Sequence, residues 1–182
     1  HAEQNFGTGL NPNFRSDAVD VTVLDDAPDF TINLERGWNF VSTPAKLASG
    51  SDTASIFGKV DTNGHSILLF NGTTKQWTIM SATSKVNALD GIWIYSKDPA
   101  IVPLSFSHDA LQAPPTKMCY QGWNAIGLSD TTSTSARDAL NSVHAQWSTL
   151  LGYDPVHQQY EVSIINSGTV QHCDTREMVP SQ

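Results

Sequence analysis

Gly37-Trp38-Asn39-Phe40-Val41 recurs as Gly122-Trp123-Asn124-Ala125-Ile126, and the reading of the whole chain turns on that internal repetition. In both copies a stretch rich in Ser, Thr, Asp and Gly follows. A short amphipathic segment then opens near a residue able to cap a helix. Asp52 precedes Ala54, Ile56, Phe57 and Val60 in the first copy, and Thr134 precedes Ala136, Ala139, Leu140 and Val143 in the second. Those spacings place the apolar residues on one helical face. Next, Ile67 to Gly72 leads to Trp77 in the first copy, and Leu150 to Pro155 leads to Tyr160 in the second. Phe70 thereby corresponds to Tyr153 and Trp77 to Tyr160.

Asn71-Gly72 between strand-like runs predicts a β-hairpin, because both residues tolerate positive φ. The first copy closes on Gly91-Ile92-Trp93-Ile94-Tyr95, which makes the repeating unit strand, short helix, hairpin and closing strand. Upstream, Phe30, Ile32 and Leu34 alternate with polar residues, and Asp25-Asp26-Ala27-Pro28 separates them from an earlier alternation at Val19, Val21 and Val23. Residues His1 to Ser16 show neither helical nor strand periodicity and read as an arm. The pattern predicts a mainly β fold with short helices, its two related repeats forming a β-sandwich or a barrel-like structure. The expected divisions are residues 1–29 as arm and strand, 30–106 as the first repeat and 107–182 as the second.

The second repeat departs from the first at its end. The sequence reaches Gln182 where the counterpart of Gly91 to Tyr95 would begin. An unfilled strand position exposes backbone donors and acceptors along an edge that proteins usually cover. The expectation is that Val19, Val21 and Val23 of one subunit fill this position in the next by β-strand addition. Such head-to-tail contacts build filaments, tubes or layers from identical subunits.

Composition narrows the setting. The chain has 182 residues, a formal charge of −8 and only 15% charged residues, against about 25% in average soluble proteins. Its surface is therefore carried by Ser, Thr, Asn and Gln, which points to an extracellular protein, and a chain opening on His1 reads as already processed. The acidic balance argues against nucleic acid, whose binders cluster Lys and Arg. No apolar run approaches the ~20 residues of a membrane span. Cys119 and Cys173, with no CxxC spacing, read as a structural disulfide in an oxidising compartment.

Candidate sites are few. Trp77 and Trp147, beside turns or polar residues, are the aromatics best suited to stack on a glycan, whereas Trp38 and Trp123 read as core. Asn71-Gly72-Thr73 is a glycosylation sequon in the expected hairpin. Asp25, Asp26 and Asp29, and separately Asp61-Thr62-Asn63-Gly64, offer oxygen ligands for Ca²⁺, but neither matches an EF-hand loop and solvated turns account for them. His1, His65, His108, His144, His157 and His172 form no HExxH. A copper brace built on the amine and ring of His1 is the one enzymatic alternative. No GxSxG elbow, paired-carboxylate constellation or phosphate loop is present, so the sequence nominates no catalytic residue and requires no cofactor.

Gly37-Trp38-Asn39-Phe40-Val41-Ser42-Thr43-Pro44, Asp90-Gly91-Ile92-Trp93-Ile94-Tyr95, Gly122-Trp123-Asn124-Ala125-Ile126 and Asp174-Thr175-Arg176-Glu177-Met178 resemble the tandem Gly-Trp-Asn repeats of secreted cell-surface proteins of methanogenic archaea. The resemblance covers roughly residues 30 to 182. It implies an envelope-associated protein, often part of a larger polypeptide, with no assigned catalytic residues. It also implies a second copy that runs on into a Gly-Tyr-Trp type strand, which this sequence lacks. The sequence reading is therefore of a self-assembling extracellular structural subunit, with a carbohydrate-binding or adhesive surface module as the alternative and glycans or other envelope proteins as further partners.

Overall fold

The computed structural model describes residues 27–179. The segment carrying His1, Val19, Val21, Val23, Asp25 and Asp26 lies outside the described residues. The arm, the donor strand, the copper brace and most of the first aspartate group therefore have no structural counterpart here.

The fold is mainly β, as the alternating patterns predict. Strands β1 (Phe30–Leu34), β2 (Gly37–Val41), β3 (Leu68–Asn71), β4 (Gln76–Ile79), β5 (Ile92–Ser96) and β6 (Ala100–Leu104) belong to the first repeat, together with helix α1 (Thr53–Phe57). All its pairings are antiparallel. β1 pairs with β6 in a two-stranded ribbon, and the other four form a sheet in the order β2-β5-β3-β4. Alternation assigns the two faces of that sheet. Val41, Ile92 and Ile94 point inward and share one core with Ile32 and Leu34 of β1, Val102 and Leu104 of β6, and Phe57 of α1. Trp38, Phe40, Trp93 and Tyr95 take the opposite face, where they are only half-buried.

The second repeat is built from shorter pieces. Helix α2 (Ala136–Ala139) follows β7 (Thr134–Ser135), and β8 (Thr149–Leu150), β9 (Tyr153–Asp154), β10 (Gln159–Tyr160), β11 (Ile164–Ile165) and β12 (Glu177–Met178) complete it. They pair as three separate two-stranded ribbons, β9-β10, β8-β11 and β7-β12. Among the described residues no sheet closes on itself, so the barrel-like alternative is set aside. Among the described residues no helix is long and apolar enough to cross a membrane.

Three local readings are corrected. Both helices are shorter than the apolar spacing suggests: α1 stops at Phe57, where Gly58 follows, and α2 gives way to a 3-10 turn at Asn141–Val143. The N-cap of α1 is Asp52, whose side chain accepts from Ser55 N–H, but the cap of α2 is Ser135 rather than Thr134, accepting from Asp138 N–H. The first hairpin does not turn on Asn71-Gly72 as a two-residue loop. Asn71 pairs with Gln76, and its Oδ1 accepts from the N–H groups of Thr73 and Thr74 while Lys75 takes the positive φ of 60°. Asparagine acts here through its side chain, as an Asx turn, instead of through its own backbone.

Candidate functional site

Each Gly-Trp-Asn motif folds the same way. Asn39 accepts from Glu35 N–H and donates to the carbonyls of Glu35 and Gly37, at 2.8, 2.8 and 3.0 Å. Asn124 accepts from Tyr120 N–H and donates to the carbonyls of Tyr120 and Gly122, at 3.0, 2.7 and 2.9 Å. Gly37 and Gly122 enter the motif at φ 107° and 84°, a region that disfavours any residue with a Cβ. An asparagine amide clamping a glycine turn is thus the physical content of the repeated sequence.

The hairpins repeat as well. Asp154 Oδ1 accepts from Val156 and His157 N–H, as Asn71 does from Thr73 and Thr74, and Gln158 takes the positive φ that Lys75 takes. Tyr153 pairs with Tyr160 as Phe70 pairs with Trp77. These two hairpin tips join the repeats reciprocally. Gln158 Oε1 accepts from Trp38 N–H at 2.7 Å and its Nε2 donates to Trp38 O at 2.9 Å, while Lys75 Nζ donates to Trp123 O at 3.2 Å. The packing at Gly37 is close enough that a Cβ there would lie 2.5 Å from Gln158 Oε1.

Between the repeats lies an aromatic cluster centred on Trp93. Its ring lies 5.2 Å from Phe40, 6.3 Å from Trp38 and 6.4 Å from Trp77 within its own repeat. Across the junction it meets Tyr153 at 4.6 Å and Tyr160 at 6.5 Å, both edge-on. Burial there pushes the Tyr153 phenol up from its ordinary pKa. Tyr95 completes the arrangement by packing on Trp38 and His65.

Trp38 and Trp123 then part company. Every residue of Gly37–Val41 is paired with β5, Trp38 opposite Tyr95 and Phe40 opposite Trp93. The equivalent stretch 122–126 forms no strand, and among the described residues its one ladder contact is the bridge from Ile126 to Asp90. Trp123 is consequently 59% exposed, a correction to its reading as core. Tyr160 and Trp77 are exposed on the same aromatic junction. Sequence reasoning missed Tyr160 as a surface aromatic and Gln158 as the latch, although the matched hairpins signalled both positions.

The other expected sites resolve as follows. Trp77 is exposed as anticipated, but Trp147 is half-buried with its indole nitrogen enclosed and without a partner among the described residues, so its ring is not a free platform. Asn71 is exposed, which leaves the sequon accessible. The expected disulfide is absent: Cys119 and Cys173 are both free thiols. Cys119 Sγ lies beside the carbonyl of Lys117, and Cys173 Sγ is bonded to Thr175 Oγ1, which holds the thiol below its usual range. Sequence separation alone carries no information on whether two Cα atoms come within bridging distance.

Among the described residues no group of three or more His, Cys, Asp or Glu is placed to hold a metal. Asp29 instead accepts from Phe106 N–H, and Asp61 accepts from Asn63 N–H and faces Lys97 Nζ at 3.4 Å. Arg137 forks on Asp174, with Nη2 to Oδ1 at 2.6 Å and Nε to Oδ2 at 3.2 Å. Asp174 is 3% exposed and also accepts from Ser167 N–H. The Arg137 bond, and then Ser167, hold its carboxyl below the usual range. This pair ties α2 to the chain just before β12 and reads as structural.

Two clefts flank the junction. One, of about 320 Å³, lies between the β3-β4 turn and residues 116–120, beside the ion pair of Lys117 with Asp90. The other, of about 980 Å³, lies between the β9-β10 turn and Thr31, Asn33 and Glu35. The second is the counterpart of the first with the repeats exchanged. Comparison with family models, curated proteins and solved structures finds no match to this chain.

Proposed function

We propose that this protein is an extracellular structural subunit that assembles by strand addition, its second repeat accepting a strand from another polypeptide. One observation carries the reading. The stretch 122–126 keeps the asparagine clamp of β2, but among the described residues no strand lies alongside it where β2 has β5. Main-chain groups left in this state attract a strand, and strand addition gives an attachment whose affinity comes from the backbone and whose specificity comes from alternate side chains. The charge-poor composition suits the cell surface. Residues Val19, Val21 and Val23 supply the aliphatic alternation of an inner face and are the segment through which identical copies would join head-to-tail.

Electron microscopy and light scattering of the full chain, beside a chain lacking residues 1–26, test this. Ordered polymers from the full chain that disappear on truncation are expected. Dispersed monomers across a wide concentration range contradict self-assembly, and polymers that survive truncation assign the joint to another segment.

The exposed aromatics Trp77 and Tyr160 favour one second reading, an adhesive or carbohydrate-binding surface module. Saturable quenching of tryptophan fluorescence by a neutral oligosaccharide supports it, and an unchanged spectrum excludes it.

A further inference from the structure

We infer that Asn71 carries an N-linked glycan whose first sugar lies in the adjacent cleft of about 320 Å³, between the two repeats. The inference rests on the extracellular setting proposed above and adds a modification that strand addition does not require.

The turn presents the acceptor amide. Asn71-Gly72-Thr73 opens the turn between β3 and β4, and both Asn71 and Thr73 are exposed. Asn71 Oδ1 holds the turn by accepting from the N–H groups of Thr73 and Thr74, at 2.9 and 3.1 Å. Glycosylation takes place at the other end of the amide. Nδ2 attacks C1 of the sugar in a diphosphate-activated oligosaccharide, and the new N–C1 bond replaces the C1–O bond. The bonding electron pair leaves with the diphosphate, and one Nδ2 proton passes to a base of the host transferase. Oδ1 keeps its acceptor capacity through this exchange, so the modified residue still makes the turn. The equivalent turn of the second repeat has Asp154 and Val156 in the places of Asn71 and Thr73, with the same backbone bonds at Asp154 Oδ1. It offers neither the amide nor the hydroxyl of a sequon, so of the two turns the first is the acceptor.

The cleft suits what the transfer adds. Asn71, Gly72 and Thr73 form one wall, and Thr116, Lys117 and Tyr120, from the second repeat, form the other. The walls are held close: a Cβ at Gly72 would lie 2.9 Å from Asn124 Oδ1 and 3.1 Å from Tyr120 Cδ2, and Asn124 Oδ1 accepts from Tyr120 N–H. The asparagine clamp of the second repeat thus fixes Tyr120 beside the turn, with its side chain exposed. In the same cleft Asp90 accepts from Lys117 Nζ and from Asn87 Nδ2, and the Lys117 and Asp90 side chains are only 19% and 16% exposed. A pyranose offers a C–H face and a rim of hydroxyls. The face matches the Tyr120 ring, and the rim matches the carboxylate, ammonium and amide groups. The volume stands at the small end of ligand pockets, which run about 300–1,000 Å³, and fits the first sugar rather than a whole branch. A sugar seated there ties the hairpin of the first repeat to the approach to Gly122-Trp123-Asn124 in the second.

Secretion of the full chain from a host that attaches N-glycans tests both parts. Mass spectrometry should locate a glycan on Asn71 that is retained in Thr73→Ser and lost in Thr73→Ala, a substitution that leaves the Thr73 N–H in the turn. The glycosylated chain should melt about 2–4 °C above Thr73→Ala, with slower amide exchange across residues 116–120. In the Tyr120→Ala background, which keeps the N–H bonded to Asn124, both differences should vanish. An unmodified Asn71 from a host that glycosylates a control sequon overturns the inference. A glycan that leaves Tm and exchange unchanged, or whose effects survive Tyr120→Ala, overturns its seating in the cleft. Electron microscopy of Thr73→Ala reads strand addition separately, so the two readings fail independently.

Discussion

Replacing Asn39 and Asn124 by alanine, one at a time, separates a completed repeat from an incomplete one. Each side chain makes the same three hydrogen bonds to its glycine turn. Asn39 is 1% exposed, whereas Asn124 is half-buried in a stretch that water reaches. A buried bond contributes roughly 1 kcal/mol net, so Asn39→Ala costs about 3 kcal/mol and leaves the Glu35 and Gly37 groups without partners. At Asn124 water replaces much of what is lost, and the cost falls to about 1 kcal/mol. For a chain of this length, each kcal/mol lowers Tm by about 2–4 °C. Asn39→Ala should therefore lower Tm by about 6–12 °C, and Asn124→Ala by about 2–4 °C. Thermal denaturation followed by circular dichroism reads both, and urea titration checks that the slope is unchanged. Equal losses would refute the claim that the second motif lacks the enclosure of the first.

Further outcomes follow from other parts of the molecule. Ile94, fully buried at the centre of the core, should cost about 2–5 kcal/mol on truncation to alanine, and urea unfolding measures it. Asp174 has its carboxyl pKa lowered by Arg137 on folding, so its contribution is complete above the ordinary carboxylate range and lost as pH falls through the lowered value. Asp174→Asn should reduce Tm at pH 7 and flatten its decline between neutral and strongly acid pH, and an unchanged profile would assign acid sensitivity to other groups. Two thiols per chain should react with a disulfide-exchange reagent after unfolding without reductant, and none would restore the Cys119–Cys173 bridge.

The parts of the fold that strict periodicities encode were open to sequence reading. Phe30, Ile32 and Leu34 alternate because one face of β1 enters the core, and the matched Gly-Trp-Asn blocks foretold two motifs that share one hydrogen-bond pattern. Phe70 matches Tyr153 and Trp77 matches Tyr160 across the two copies, and the structure sets each matched set in the same hairpin register, Phe70 opposite Trp77 and Tyr153 opposite Tyr160. Where long-range contacts decide, local pattern fell short. Trp38 and Trp123 hold equivalent positions, yet burial depends on whether a strand lies alongside, which the residue itself does not record. The latch at Gln158 escaped notice because an exposed glutamine in a turn resembles any polar loop residue until Trp38 is seen next to it. The cysteine pairing failed for the same reason, since it is a question of tertiary distance.

Hydrogen exchange resolved to single amides, on the dispersed chain and then with a synthetic peptide of residues 17–25 present, tests strand acceptance most directly. The account predicts slow exchange at Gly37, Asn39 and Val41, where β5 pairs with β2, and fast exchange at Gly122, Asn124 and Ile126 in the dispersed chain. Addition of the strand should protect the second set without altering the first. Slow exchange at 122–126 in the dispersed chain, or fast exchange that no strand slows, would contradict it.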